Sequence, residues 1–133
     1  MTTHKLKWLD MQMTAQHPLL TLCLTEEAFN ATLKKIKAQH RPWIPHDRAD
    51  ACVHAFDTNN GLATVVCLNG WKDEDVETVL GILVHEATHV WQEYADSIGE
   101  ENPGREQEAY AIQGISQALF VEFIKQSGLK MTY

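Results

Sequence analysis

The sequence predicts an α+β fold for residues 1–133 as a single domain. Three stretches repeat apolar residues at helical spacing, and two short β-rich runs lie between the first and the second of them. No internal repeat, low-complexity tract or long linker divides the sequence. Its 44% apolar and 22% charged residues are ordinary for a globular protein, and 133 residues suit one hydrophobic core.

The first predicted helix follows a stretch, residues 1–18, whose weak pattern fits a strand or a short helix. Thr25 can cap the helix, and the two glutamates that follow it suit the positive end of the helix dipole. The helix is expected to end near His40, because Pro42 and Pro45 cannot continue it. Its apolar residues at helical spacing are Ala28, Phe29, Leu33 and Ile36.

The β-rich runs cover residues 51–56 and 62–68, and the turn formers of residues 57–61 separate them. Together they predict a β-hairpin. Cys52 and Cys67 can face each other across this hairpin as reduced core residues.

His54 lies on the same predicted strand face as Cys52 and Phe56. A histidine in such a position is expected to be half-buried and hydrogen-bonded. The alternative is that His54 reaches an active site as an electrophile or a substrate contact.

Two helices are predicted to close the chain. The first begins around Asp73 and runs to about Ser97, with Gly99 as its stop signal, and the second starts after Gly104 and ends near Gly128. The predicted order is therefore helix, hairpin, helix, helix.

Composition argues against several classes of function. The net charge of −7 makes nucleic acid an unlikely main partner, because an acidic chain repels phosphate. No apolar run approaches the ~18 residues of a membrane span, and no signal segment is visible, so we expect a cytoplasmic protein. Three cysteines without a CxxC pair fit a reducing compartment and predict neither a disulfide scaffold nor a cysteine-based zinc site. The oligomeric state is left open.

The first of the two closing helices contains His85-Glu86-Ala87-Thr88-His89, an HExxH motif. Residues i and i+4 lie on one helix face, so both imidazoles can bind one metal ion. Glu86 projects about 100° from His85, beside the ion, where a general base can act on a water molecule. The apolar neighbours predict that all three side chains lie against a core, which is costly without a metal. The alternative is a helix with two partly exposed histidines and an ordinary surface glutamate.

A catalytic zinc ion usually has three protein ligands and one open position. Glu106 lies 17 residues (106 − 89) past His89, which is enough chain for a turn and a second helix. Glu108 is the alternative ligand, and it is displaced about 200° around the helix from Glu106. Glu106 is favoured because Ala109 and Ile112, which look core-facing, share its side of the helix.

The HExxH motif, followed by Glu106-Gln107-Glu108-Ala109-Tyr110, resembles the gluzincin branch of the zincin metallopeptidases. The resemblance implies a minimal zincin-like domain, in which a hairpin or small antiparallel sheet packs on the HExxH helix. The C-terminal helix then carries Glu106 as the third zinc ligand, and the edge strand binds an extended peptide. The compact size is similar to that of minimal zincins, including those encoded by bacteriophages and prophages.

One position departs from the gluzincin pattern. Tyr110 stands where that family often has an aspartate that supports a ligand histidine. Support is then expected from Tyr110 itself, from Asp96, from Glu93 or from a backbone carbonyl. Tyr110 is also the candidate for a catalytic phenol that stabilises a tetrahedral intermediate.

The resulting expectation is a zinc-dependent metallopeptidase that acts on a peptide or protein substrate. The alternative from another class is a zincin-fold binding or interaction protein, with the metal as a structural clip or with no metal. Hydrolysis of a non-peptide amide is a third reading that the residues permit.

Overall fold

The computed structural model describes residues 6, 8–9, 19–45 and 50–129. The strand or short helix expected within residues 1–18 lies outside these ranges except at Leu6, Trp8 and Leu9. The α+β prediction is confirmed. The elements in chain order are β1 (Leu19–Cys23), α1 (Glu26–Lys35), β2 (Ala51–Thr58), β3 (Gly61–Leu68), a 3₁₀ turn (Trp71–Asp73), α2 (Val76–Ser97) and α3 (Arg105–Ser127).

The strands form one mixed sheet in the order β1-β3-β2. The hairpin of β2 and β3 is confirmed, with Cys52 directly opposite Cys67. The other expected form, a small antiparallel sheet, was wrong for the sheet as a whole, because β1 pairs parallel to β3, with Cys23 beside Cys67. β1 is a run of only five residues without alternating polarity, and periodicity cannot assign such a run.

Helix α1 begins as its sequence predicts and ends earlier. Thr25 Oγ1 accepts a hydrogen bond from the Ala28 backbone N–H at 3.1 Å. The helix stops at Lys35 because Lys37 adopts a left-handed conformation with φ of 57°. The Ala38 N–H then donates to the Leu33 carbonyl at 3.0 Å, which closes a Schellman motif before the prolines are reached.

Helices α2 and α3 carry the HExxH motif and the candidate third ligand. The start of α2 lies at Val76, three residues after the predicted Asp73, which belongs to the separate 3₁₀ turn. Its end at Ser97 and the bounds of α3 agree with prediction, and Gly128 follows α3 with a left-handed φ of 73°. Among the described residues, no helix has the combined length and apolar composition required to cross a membrane.

The sheet separates two hydrophobic clusters. On one face it packs against α2 and α3, through residues such as Val66, Leu83 and Ile115. On the other face it packs against α1, where the buried residues are Cys23, Phe29, Leu33, Phe56, Val65 and Cys67. The HExxH helix therefore lies on the opposite side of the sheet from α1.

Candidate functional site

The two motif histidines, called the histidine pair below, meet on one side of α2. His85 and His89 lie one helical turn apart, and their Nε2 atoms are 3.2 Å from each other. Two nitrogens bound to one tetrahedral zinc ion at 2.0–2.1 Å would lie about 3.3 Å apart. The spacing therefore suits a shared ion, and it also suits a hydrogen bond between the rings.

The burial of the motif differs from the expectation that all three side chains lie against the core. His85 and His89 are exposed, whereas Glu86 is buried with 5% of its surface accessible. The reason lies in the helix face. The buried stripe of α2 runs through Leu83, Ala87 and Val90, and at 100° per residue the histidine pair falls on the opposite side. The alternative of an ordinary surface glutamate was also wrong, because Glu86 is buried at the edge of this stripe.

Glu86 is the electrostatically unusual member of the motif. Its Oε2 atom is buried and has no hydrogen-bond partner among the described residues. Burial raises the pKa of Glu86, while the neighbouring His85 and His89 act to lower it. A buried carboxylate oxygen without a partner costs about 1–3 kcal/mol or more. Such an atom suits a site where a water molecule or a cation supplies the missing contact.

A cleft of about 430 Å³ runs beside Glu86, between the start of β2 and the first half of α2. Both His85 and Glu86 line it, so the candidate base and a candidate ligand face the same space. Asp50, an exposed acid that sequence reasoning missed, lies across the cleft at the start of β2. The other lining residues are Ala51, Thr78, Gly81 and Ile82.

His89 is oriented by a residue that the sequence analysis did not name. Its Nδ1 atom lies 2.9 Å from Oε1 of Gln92. An amide oxygen only accepts, so Nδ1 carries the proton and the Nε2 lone pair is directed towards His85. Support was expected from Tyr110, Asp96, Glu93 or a backbone carbonyl. Gln92 provides it instead, from three residues further along the same helix.

The two candidate carboxylates of α3 occupy different environments. Glu108 Oε2 accepts a hydrogen bond from Trp91 Nε1 at 3.0 Å, and Trp91 lies about 200° around α2 from His89. Both glutamates are exposed in the first turn of α3, but among the described contacts none engages the Glu106 carboxylate. The expectation that Ala109 faces the core was wrong, because Ala109 is exposed. The buried stripe of α3, with Ala111, Ile115 and Leu119, continues towards Glu108 instead.

Among the described residues, no third histidine, cysteine or carboxylate joins the histidine pair in a compact group of ligand atoms. The assignment of Glu106 as third ligand therefore stays a prediction. Tyr110 is 67% exposed, and its catalytic role likewise stays a prediction.

A second group of side chains, called the cysteine cluster below, consists of Cys52, His54 and Cys67. Their ligand atoms all lie within 4.8 Å of one another, so the group can hold a metal ion. The sequence predicted that Cys52 faces Cys67, but the odd number of cysteines and the lack of a CxxC pair predicted no cysteine-based zinc site. His54 is buried and hydrogen-bonded, and it faces α1 rather than the histidine pair.

The pKa values of the two thiols in the cysteine cluster are shifted in opposite directions. A hydrogen bond from Cys67 lowers the pKa of Cys52, and the neighbouring His54 lowers it further. Burial is the main cause that raises the pKa of the Cys67 thiol, and the hydrogen bond with Cys52 and the charge of Cys52 raise it further. Burial lowers the pKa of His54, but its contacts with Cys52 and with the Trp43 carbonyl outweigh burial and raise it overall.

Comparison with known proteins identifies no relative of this chain. No family model, no curated protein and no solved structure matches it.

Proposed function

We propose that the protein is a zinc-dependent hydrolase of peptide bonds, with zinc bound by His85 and His89 and with Glu86 as the general base. The observation that carries the proposal is a pair of Nε2 atoms 3.2 Å apart, beside a Glu86 that lines a cleft with His85 and has a buried oxygen without a hydrogen-bond partner among the described residues. The first feature suits a metal ion, and the second suits a group that exchanges protons beside it.

The chemistry follows from the roles of these residues. Zinc held by His85 and His89 would supply Lewis-acid chemistry, which activates water and polarises a carbonyl group. Glu86 accepts the proton of the attacking water molecule and returns it to the leaving amine nitrogen. Burial of Glu86 favours this role, because it raises the basicity of the carboxylate.

A catalytic zinc site accounts for the HExxH motif better than a structural zinc site without activity. A purely structural zinc site is closed by four protein ligands and needs no acid beside them. Here the histidine pair is exposed, which leaves room for water and substrate, and Glu86 is kept buried at a cost in stability. The binding or interaction protein remains the competing proposal, and activity decides between them.

We propose Glu106 as the third ligand, as the resemblance to gluzincins implies. Among the described contacts, none engages the Glu106 carboxylate, whereas the Glu108 carboxylate is held by Trp91. Tyr110, four residues later on the same exposed side of α3, is proposed to contact the reacting group. Together with the sheet beside α2, these residues support a zincin-like arrangement.

The proposed substrate is an extended peptide. β2 lies at the edge of the sheet, and the Ala55 carbonyl points outward, where it accepts a hydrogen bond from Arg41 Nη1 at 3.2 Å. Backbone groups alternate in direction along a strand, so Ala51 and Val53 also direct their N–H and C=O groups to this edge. They lie next to the cleft and can pair with a peptide strand.

The test is digestion of a peptide library by the wild-type protein and by Glu86→Gln, with the zinc content of both measured by elemental analysis. We expect equal zinc content and a loss of about 10²–10⁴-fold in hydrolysis, because only the proton carrier is removed. Zinc that is lost in His85→Ala/His89→Ala, without turnover in the wild-type protein, would favour the binding protein. Full activity in Glu86→Gln would refute the assigned base.

A further inference from the structure

We propose that Cys52, His54 and Cys67 form a second metal site, independent of the HExxH motif, which takes a thiophilic ion of the zinc type. Thiolate and imidazole ligands in a compact tetrahedral group are typical of zinc sites. The site lies on the α1 face of the sheet, whereas the histidine pair belongs to α2 on the other side.

The distances between the ligand atoms suit one tetrahedral ion. Cys52 Sγ lies 3.3 Å from His54 Nε2, and the three ligand atoms all lie within 4.8 Å of one another. With zinc–sulfur bonds of 2.3 Å and zinc–nitrogen bonds of 2.0–2.1 Å, the sulfur–nitrogen separation is about 3.6 Å and the sulfur–sulfur separation about 3.8 Å. Side-chain movements of up to about 1 Å are enough to reach these values.

A fourth polar atom points to the same place. The Trp43 carbonyl oxygen lies 3.1 Å from His54 Nε2 and 3.4 Å from Cys52 Sγ. The carbonyl oxygen accepts hydrogen bonds from these two groups while they carry protons. Metal binding displaces those protons, and the carbonyl is then positioned to approach the ion or a water molecule bound to it.

The scaffold around the cysteine cluster is rigid. Cys52 and Cys67 are directly paired across β2 and β3, and His54 follows two residues later on the same strand face. The Phe29 ring lies 4.8 Å from the His54 ring and 5.9 Å from the Trp43 ring, so aromatic side chains cover the site. Cys67 is fully buried and Cys52 is half-buried, which leaves an entry route at Cys52.

The site would fasten the segment before β2 to the sheet. Trp43 belongs to a stretch without helix or strand, yet its carbonyl and its ring both contact the cluster or its cover. An ion held by β2, β3 and this segment would therefore stabilise the face of the sheet that carries α1. We assign it a structural role, since the Trp43 carbonyl can complete a set of four protein ligands around the ion.

Cobalt(II) substitution distinguishes the two metal sites. Thiolate ligation of cobalt gives a charge-transfer absorption in the near ultraviolet, and the HExxH site contains no sulfur. We expect this band in the wild-type protein and in the double variant His85→Ala/His89→Ala, with one cobalt ion per chain in the double variant. This band does not depend on whether the protein hydrolyses peptides, so the two proposals are tested separately.

Cysteine variants test the ligands, with a non-thiol reductant present. Cys52→Ser and His54→Ala are each expected to abolish the band, and Cys52→Ser is the milder change because Cys52 is half-buried. Cys23→Ser is the matched control, since Cys23 Sγ contacts Thr32 Oγ1 at 3.6 Å outside the group, and it should keep the band. Circular dichroism confirms that each variant is folded.

Three results would overturn the proposal. The first is the absence of the band from folded, reduced wild-type protein loaded with cobalt. The second is its persistence in Cys52→Ser. The third is a Cys52–Cys67 disulfide, detected by intact mass, that forms in the presence of zinc and the reductant.

Discussion

Gln92 orients His89, which we propose as a zinc ligand. Its amide oxygen fixes the proton of His89 on Nδ1, which leaves Nε2 as a lone-pair donor directed towards His85. Without this contact the ring can rotate and change tautomer. The side chain is exposed, so it contributes little to the core.

Gln92→Ala therefore tests ligand orientation apart from folding. We expect the zinc dissociation constant to rise about 10–100-fold, the effect typical of losing such a support, with little change in thermal stability. Isothermal titration with zinc measures it. Glu93→Ala is the matched control, because Glu93 is exposed on the same turn, and equal affinities in both variants would contradict the role of Gln92.

Glu106 and Glu108 can be separated as zinc ligands by substitution. Glu106→Ala should weaken zinc binding at least about tenfold, because it removes an anionic ligand. Glu108→Gln should leave zinc affinity unchanged, since the glutamine oxygen can still accept from Trp91. Competition with a zinc chelator gives both constants. The reverse result would transfer the third ligand to Glu108, and no effect in either would remove both.

At the scale of elements, the packing of α2 on α3 includes a polar contact between buried Trp91 and exposed Glu108. Trp91 is almost fully buried, and its indole N–H donates to Glu108 at 3.0 Å. Glu108→Ala leaves that N–H without its partner. The free energy of unfolding should fall by about 1–3 kcal/mol, as measured by urea denaturation. An unchanged denaturation midpoint would show that water replaces the carboxylate without cost.

Sequence predicted the elements with strong local signals. The N-cap at Thr25, the turn between β2 and β3, and the glycine after α3 all act over a few residues, and each agrees with the structure. The parallel strand β1 and the early end of α1 were missed. β1 depends on pairing with β3, about 45 residues away, and the end of α1 depends on Lys37 in a conformation that glycine usually adopts.

In the candidate site, too, local sequence patterns predicted some features and missed others. The HExxH spacing alone predicted that His85 and His89 meet, because one helical turn joins them. The expectation that all three side chains lie against the core was right for Glu86, which is buried, and wrong for His85 and His89, which are exposed. The sequence predicted that Cys52 faces Cys67, with His54 on the same strand face, but without a CxxC pair it did not indicate that these side chains could bind a metal ion.

At the scale of the whole molecule, the three-stranded sheet acts as a partition. One face carries α2, α3 and the cleft beside Glu86, and the other carries α1 and the cysteine cluster. Both proposed sites draw on β2, whose first residue lines the cleft and whose second is Cys52. The net charge of −7 favours the approach of cations to either site.

Crystals of the zinc-loaded protein, with anomalous diffraction recorded at the zinc absorption edge, test the proposed catalytic centre. We expect a zinc peak 2.0–2.1 Å from Nε2 of both His85 and His89, with the Glu86 carboxylate facing the cleft outside the coordination sphere. A zinc-loaded crystal with no peak between the two histidines, or with Glu86 bound directly to the ion, would contradict the proposed hydrolase.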